Sequence, residues 1–266
     1  MITRLSNSQI KHIRSLAHRK IREETGLFLV EGIRPVVEAV QLGADIETLV
    51  VAPDLLDSPF GRETVQRARQ DGMPVLEISA EVFASFSRKD GPQGLAAVAR
   101  QRWETLDRIV PGDELGWVVL EEAGSPGNLG TILRTCDAVG VDGVILLGET
   151  TDPYDPVSVR ASMGAIFSQR IARADLGMLA MWKNRHALPL IGASGDAATG
   201  YRDMAYPRPV LLCMGGEQHG LSADLRTLCD RLVHIPMTGR ADSLNLAVAT
   251  GVLLYEIFYQ HSKITT

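Results

Sequence analysis

The residues able to do chemistry fall in three loops of the second half of the chain. The first is Gly124-Ser125-Pro126-Gly127-Asn128-Leu129-Gly130-Thr131-Ile132-Leu133-Arg134. It lies between an apolar strand-like run and a helical pattern, where loops of α/β sheets gather ligands. Asn128 offers a donor and an acceptor, and Arg134 a planar cation whose fork matches a carboxylate or phosphate. Both also have structural uses, Asn128 as a helix cap and Arg134 as a surface ion-pair partner. The second loop carries Met214-Gly215-Gly216-Glu217-Gln218-His219-Gly220-Leu221-Ser222 straight after an apolar run. Glycine lets the backbone approach a ligand closely. A tight turn ending in Ser222 as N-cap is the alternative, but it leaves Glu217 without a local purpose. The third runs from Ile235-Pro236-Met237 to Ser243-Leu244-Asn245, with Ser243 as the expected cap of an apolar helix over 244–259. Polar Ser243 and Asn245 at a buried helix start need partners, and a ligand is one candidate.

Several chemistries are missing. No GxGxxG follows a first strand and no GxxxxGK[ST] occurs, so a Rossmann-type dehydrogenase or methyltransferase is not supported. His219 can act as a base, but no companions at metal-ligand spacing accompany it, so no metal is expected. Cys136, Cys213 and Cys229 are an odd number without CxxC spacing, which points to a reducing, cytoplasmic setting. No signal-peptide core opens the sequence, and the closing apolar helix is too short and too polar for a bilayer span.

Net charge is −5 over 266 residues, yet it is unevenly spread. Residues 1–22 hold Arg4, Lys11, Arg14, Arg19, Lys20 and Arg22, with His12 and His18 and no acid. A polyanion responds to a local basic surface rather than to an average, so these six are candidate contacts to a nucleic acid; a solvated helix face is the plainer reading.

The elements that must position these residues alternate strand and helix. In the front half, a helix is expected over 8–20, strands at 27–30, 48–52, 74–78 and 94–99, and helices at 34–42, 61–70 and 80–85, the pattern of βαβ units. A Pro/Gly-containing stretch, 101–114, reads as a linker between a domain over 1–100 and another over 115–266. The second domain repeats the alternation. Its strands are expected at 117–120, 143–147, 171–172, 188–193, 210–214 and 232–235, its helices at 129–139, 158–166, 176–185 and 223–229. The last helix is apolar all round and must be buried on more than one side, against core on one face and another subunit on a second.

Taken together, the three loops resemble the signature motifs of the SpoU (TrmH-like) RNA ribose 2′-O-methyltransferases, in that family's order and spacing. The stretch Asp152-Pro153-Tyr154, with Val159-Arg160-Ala161-Ser162-Met163-Gly164-Ala165, is similar to the family's middle segment. In the front half, Ser6-Asn7, 26–32 and Pro92-Gln93-Gly94 resemble a ribosomal-protein-L30e-like substrate-binding domain. Ser125, Gly216 and Cys136 depart from common family residues without touching the class. The resemblance implies a C-terminal trefoil-knotted α/β (SPOUT) domain working as a homodimer. It implies S-adenosylmethionine held by backbone groups of Gly215, Ile235 and Leu244, with Met214, Gly216, Met237 and Gly220 around them. It gives catalytic roles to Asn128, Arg134, Glu217, Ser243 and Asn245, on an RNA substrate, 23S rRNA before tRNA. A non-catalytic RNA-binding or ribosome-assembly factor is the rival from another class.

Overall fold

A computed structural model describes residues 1–87 and 91–262. In chain order the elements are α1 (Ser8–Ser15), α2 (Arg19–Thr25), β1 (Leu27–Glu31), α3 (Ile33–Gln41), β2 (Ile46–Val51), α4 (Pro59–Gln70), β3 (Val75–Glu77), α5 (Ala80–Ala84) and β4 (Leu95–Arg100). There follow β5 (Gly116–Glu121), α6 (Pro126–Val139), β6 (Gly143–Leu147), α7 (Pro156–Ser162), β7 (Arg170–Ala174) and α8 (Leu176–Arg185). The last are β8 (Leu190–Ala193), β9 (Thr199–Gly200), β10 (Val210–Met214), α9 (Ala223–Leu228), β11 (Arg231–His234) and α10 (Leu246–Ser262). Two compact units result: Met1–Gln101 with Asp152–Ser168, and Arg102–Thr151 with Gln169–Thr266. The expected unbroken second domain over 115–266 is therefore interrupted, because 152–168 packs with the first unit.

In the first unit the sheet order is β1-β4-β2-β3. β4 runs antiparallel to both β1 and β2, and only β2 and β3 form the parallel pair that the alternating pattern predicted throughout. Ile10, Ile13 and Leu16 of the N-terminal helical segment bury against Leu29, Val50 and Phe83. The single helix expected over 8–20 is two, broken after Leu16. Arg22 braces the break: its Nη1 donates to the Leu16 and Ala17 carbonyls, in the turn after α1, at 2.9 and 3.0 Å. Arg22 is 1 % exposed, and its guanidinium also reaches Asp152 at 2.7 Å and Asp155 at 3.5 Å. It cannot be the RNA contact that its place in a basic stretch suggested; its charge is spent inside.

The second unit is a wholly parallel sheet in the order β7-β6-β5-β10-β8-β11-β9. A parallel sheet covered on both faces demands uninterrupted apolar strands, and every residue of β6 and β10 is buried. The stretch read as a linker is docked here. Leu106 and Ile109 are buried in the core, and the Trp182 indole N–H donates to the Ile109 carbonyl at 2.9 Å. Strand β9, two residues long, escaped the sequence pattern. Among the described residues no helix is long and apolar enough to cross a membrane.

Candidate active site

Three neighbouring strands of the parallel sheet, β10, β8 and β11, end at one cleft of about 580 Å³. Such crevices beyond the carboxyl ends of parallel strands are where α/β folds bind ligands. Its walls include all seven residues expected to hold a cofactor: Met214, Gly215, Gly216, Gly220, Ile235, Met237 and Leu244. The glycine at 215 is required by close approach. A Cβ there would lie 2.0 Å from the Gly220 carbonyl carbon, and Gly220 itself turns the loop with φ +65°. The loop folds back on itself with a bridge between Gly216 and Gly220.

On one edge of the cleft a carboxylate–amide chain ties the three loops together. Glu217 accepts from the Gly124 and Ser125 backbone N–H groups at 2.9 and 3.3 Å, and from Asn128 Nδ2 at 3.0 Å. Asn128 Oδ1 accepts from Asn245 Nδ2 at 3.0 Å. Asn245 Oδ1 in turn accepts from the Ala247 and Val248 N–H groups. Burial pushes the Glu217 carboxyl up, but the donors from Gly124, Asn128, its own backbone and Ser125 outweigh it, so its pKa lies below the ordinary glutamate value. The carboxylate is ionised at neutral pH and holds both asparagine side chains in one orientation.

Two local expectations change. Asn128 is not the cap of α6: Ser125 is, with Pro126 opening the helix, and Asn128 is freed to face Glu217. Ser243 is not the cap of α10, which begins two residues later than expected under Asn245; Ser243 lines the cleft instead.

Arg134 stands apart. It lies six residues beyond Asn128 on α6, about 9 Å along the axis at 1.5 Å per residue. It is exposed and outside both the cleft lining and the hydrogen-bond chain. Of the basic residues near the N-terminus, Arg4, Lys11 and Arg14 are exposed, while Arg19 and Lys20 pair with Glu23 and Glu24 one turn on. Such exposed pairs are weak and leave both cations available to a polyanion.

Sequence reading missed one wall of the cleft. Ser194 and Gly195 line it after β8. Ser194 is held by Arg226, which donates to Ser194 Oγ at 2.6 Å and to both Asp196 oxygens at 3.0 Å. The Ser194 hydroxyl and the Arg226 guanidinium lower the Asp196 carboxyl pKa. A serine directly after an apolar strand was the available signal. Among the described residues no group of three or more His, Cys, Asp or Glu is placed to hold a metal.

A parallel sheet with a glycine-walled cleft at its carboxyl ends, and a pre-set amide–carboxylate chain beside it, defines an α/β domain built around a small-molecule ligand. Comparison with known proteins makes the assignment specific. Residues 117–255 match the SpoU rRNA Methylase family, and residues 7–97 match the MRM3-like substrate binding domain. The chain belongs to the SpoU rRNA methylase family, with an MRM3-like substrate-binding domain in front. It is 35 % identical to the 23S rRNA (uridine(2479)-2′-O)-methyltransferase of Streptomyces viridochromogenes, over 92 % of this chain and 87 % of that one. It is 28 % identical to the 23S rRNA (guanosine(2553)-2′-O)-methyltransferase RlmP of Bacillus subtilis, covering 94 % and 96 %. Among solved structures, the AdoMet-bound rRNA methyltransferase of Sinorhizobium meliloti superposes with a TM-score of 0.88 at 39 % identity, covering 96 % of each chain.

Proposed function

We propose that this protein methylates a ribose 2′-oxygen in 23S rRNA, using S-adenosylmethionine as methyl donor. The observation that carries the reading is the junction of the glycine-walled cleft with the Glu217–Asn128–Asn245 chain. The cleft fits the donor. Its volume is within the roughly 300–1,000 Å³ of small-molecule sites, and it is walled by backbone that a Cβ at Gly215 would push apart. Backbone groups of Gly215, Ile235 and Leu244 would hold it, their side chains offering no polar atoms, with Met214, Gly216, Met237 and Gly220 shaping the walls. When bound, S-adenosylmethionine supplies an electrophilic methyl group on a cationic sulfur.

The chain's own residues supply position and charge. A ribose hydroxyl is a weak nucleophile, so much of the acceleration must come from orientation. Asn128 and Asn245 orient the ribose, Glu217 fixes the asparagines, and Ser243 adds a hydrogen bond from the cleft wall. As the hydroxyl proton leaves, charge grows on the 2′-oxygen. Arg134, outside its own chain's cleft, is assigned to the site of a second copy, where it stabilises that charge and grips the adjacent phosphate with its planar fork. Arg134 is an electrostatic anchor and not a base, because a guanidinium stays protonated; the proton passes to water or a substrate phosphate.

The reading includes a homodimer. Val248, Tyr255 and Tyr259 of α10 are each more than half exposed, an apolar face opposite the one formed by Leu246, Leu253, Leu254 and Ile257 in the core. The same helix packs on α6, which carries Arg134. The threaded C-terminus and the cytoplasmic setting come with the family resemblance.

Incubation with tritiated S-adenosylmethionine and protein-free 23S rRNA, followed by nuclease mapping, tests the activity. Label confined to one ribose is expected, and lost in Arg134→Lys. Label in tRNA instead moves the substrate, and no label in either RNA overturns the reading in favour of an assembly factor.

A further inference from the structure

The first unit holds a second cavity, of about 220 Å³, that no step above uses. Its walls include Arg14 and Ala17 on the N-terminal helical segment, Glu31 of β1, Phe86 just after α5, and Val157 and Arg160 of α7. The arrangement is graded. Phe86 is buried, Glu31 is half-buried and accepts a hydrogen bond from the Ser87 hydroxyl, and Arg14 and Arg160 are exposed at the opening.

Each feature narrows the occupant. At 220 Å³ the cavity is below the ~300 Å³ floor for drug-sized ligands and takes one ring system. A carboxylate inside repels a phosphate but accepts from ring or amino N–H groups. Two guanidiniums outside it hold phosphates. Arg14 also borders a neighbouring depression lined by Lys11, Ser15 and His18, so positive charge continues past the opening through Lys11 as a track. A track suits a polymer better than a mononucleotide.

We propose that this cavity receives one unstacked, amino-bearing base of the RNA substrate, with the flanking phosphates on Arg14 and Arg160. Single-stranded RNA is commonly read this way, by splayed bases taken up at aromatic walls and read along their edges. The proposal rests on the reading of the protein as an RNA ribose methyltransferase and adds where that RNA is gripped away from the chemistry.

The test uses the full-length protein and protein-free 23S rRNA transcribed with 6-thioguanosine or, separately, 4-thiouridine. After irradiation, crosslinked peptides are mapped by mass spectrometry. Crosslinks from 6-thioguanosine RNA to residues 85–87 or 156–160 are expected, with 4-thiouridine giving none there. Ala17→Phe, which fills the cavity, and Arg14→Glu, on the exposed rim, each weaken RNA binding by about tenfold or more. Arg14→Glu also lowers the salt slope of binding by about 1. Affinity for S-adenosylmethionine stays unchanged in both. Crosslinks confined to other peptides, uptake of free guanosine monophosphate without any effect on RNA, or wild-type RNA affinity in Arg14→Glu would each overturn the proposal. Crosslinking reads binding alone. A crosslinked cavity without methyl transfer removes the methyltransferase reading and not this one, and methyl transfer without the crosslink does the opposite.

Discussion

Glu217 is the residue on which the site's geometry turns. It collects two backbone N–H groups and the Asn128 amide, and through Asn128 it sets Asn245. Glu217→Ala frees three donors at once and lets both asparagines rotate. Losing one pre-set polar contact of this kind removes about 2.7–4 kcal/mol of transition-state stabilisation, so kcat should fall by about a hundredfold or more while the cleft still binds S-adenosylmethionine. Single-turnover methyl transfer beside calorimetry separates the two. The pH dependence has a definite sign. The folded pKa is below the unfolded one, so Glu217 stabilises fully above the unfolded value, near 4.3, and loses this as pH falls through the lowered one. The difference in melting temperature between the wild type and Glu217→Gln should be flat from about pH 5 to 8 and shrink only below about pH 4. The types of the site residues were legible in the sequence, since a glutamate between glycines has no local purpose. Their duties were less so. Asn128 looks like the cap of α6, yet Ser125 takes that place and Asn128 is held by the distant Glu217.

Among the elements, α10 shows how far pattern reading reaches. An all-round apolar helix predicts burial on two sides without saying which residues face which. The structure divides it: Leu246, Leu253, Leu254 and Ile257 go to the core, and Val248, Tyr255, Phe258 and Tyr259 to an uncovered face. If a second copy covers that face, Val248→Asp with Tyr255→Asp yields a monomer by sedimentation, with near-UV dichroism of the buried Trp117 and Trp182 unchanged. Wild type sedimenting as a monomer would remove the dimer. The strands were the most legible elements, because a parallel sheet packed on both faces leaves apolar runs such as 143–147 and 210–214 that resemble nothing else. Strand direction was not. The first unit's antiparallel pairings involve β4, and alternating apolar runs carry no mark of orientation.

For the whole molecule, the least legible fact was the allegiance of residues 152–168. By position they belong to the catalytic half; by packing they belong to the first unit. Arg22 binds them there, with Asp152 Oδ1 accepting from the Tyr154 N–H, Asp155 capping α7, and Phe28 stacking near Tyr154 and Phe167. Composition could not show this, since an arginine in an acid-free basic stretch reads as surface. Its acidic partners, Asp152 and Asp155, lie 130 and 133 residues away. Arg22→Ala leaves two carboxylates and two carbonyls without their cation, at a cost of about 3–5 kcal/mol. Denaturant melts should show the loss, with Arg14→Ala close to wild type.

The backbone passes from one unit to the other three times, after Gln101, Thr151 and Ser168. A single genetic crossover therefore cannot exchange the recognition module of this enzyme. Joining a foreign front half to this chain at residue 101 strands α7 without its host, and leaves the newcomer short of its own equivalent. New targets would have to be acquired by drift within the existing front half, or by a paired replacement of both stretches together.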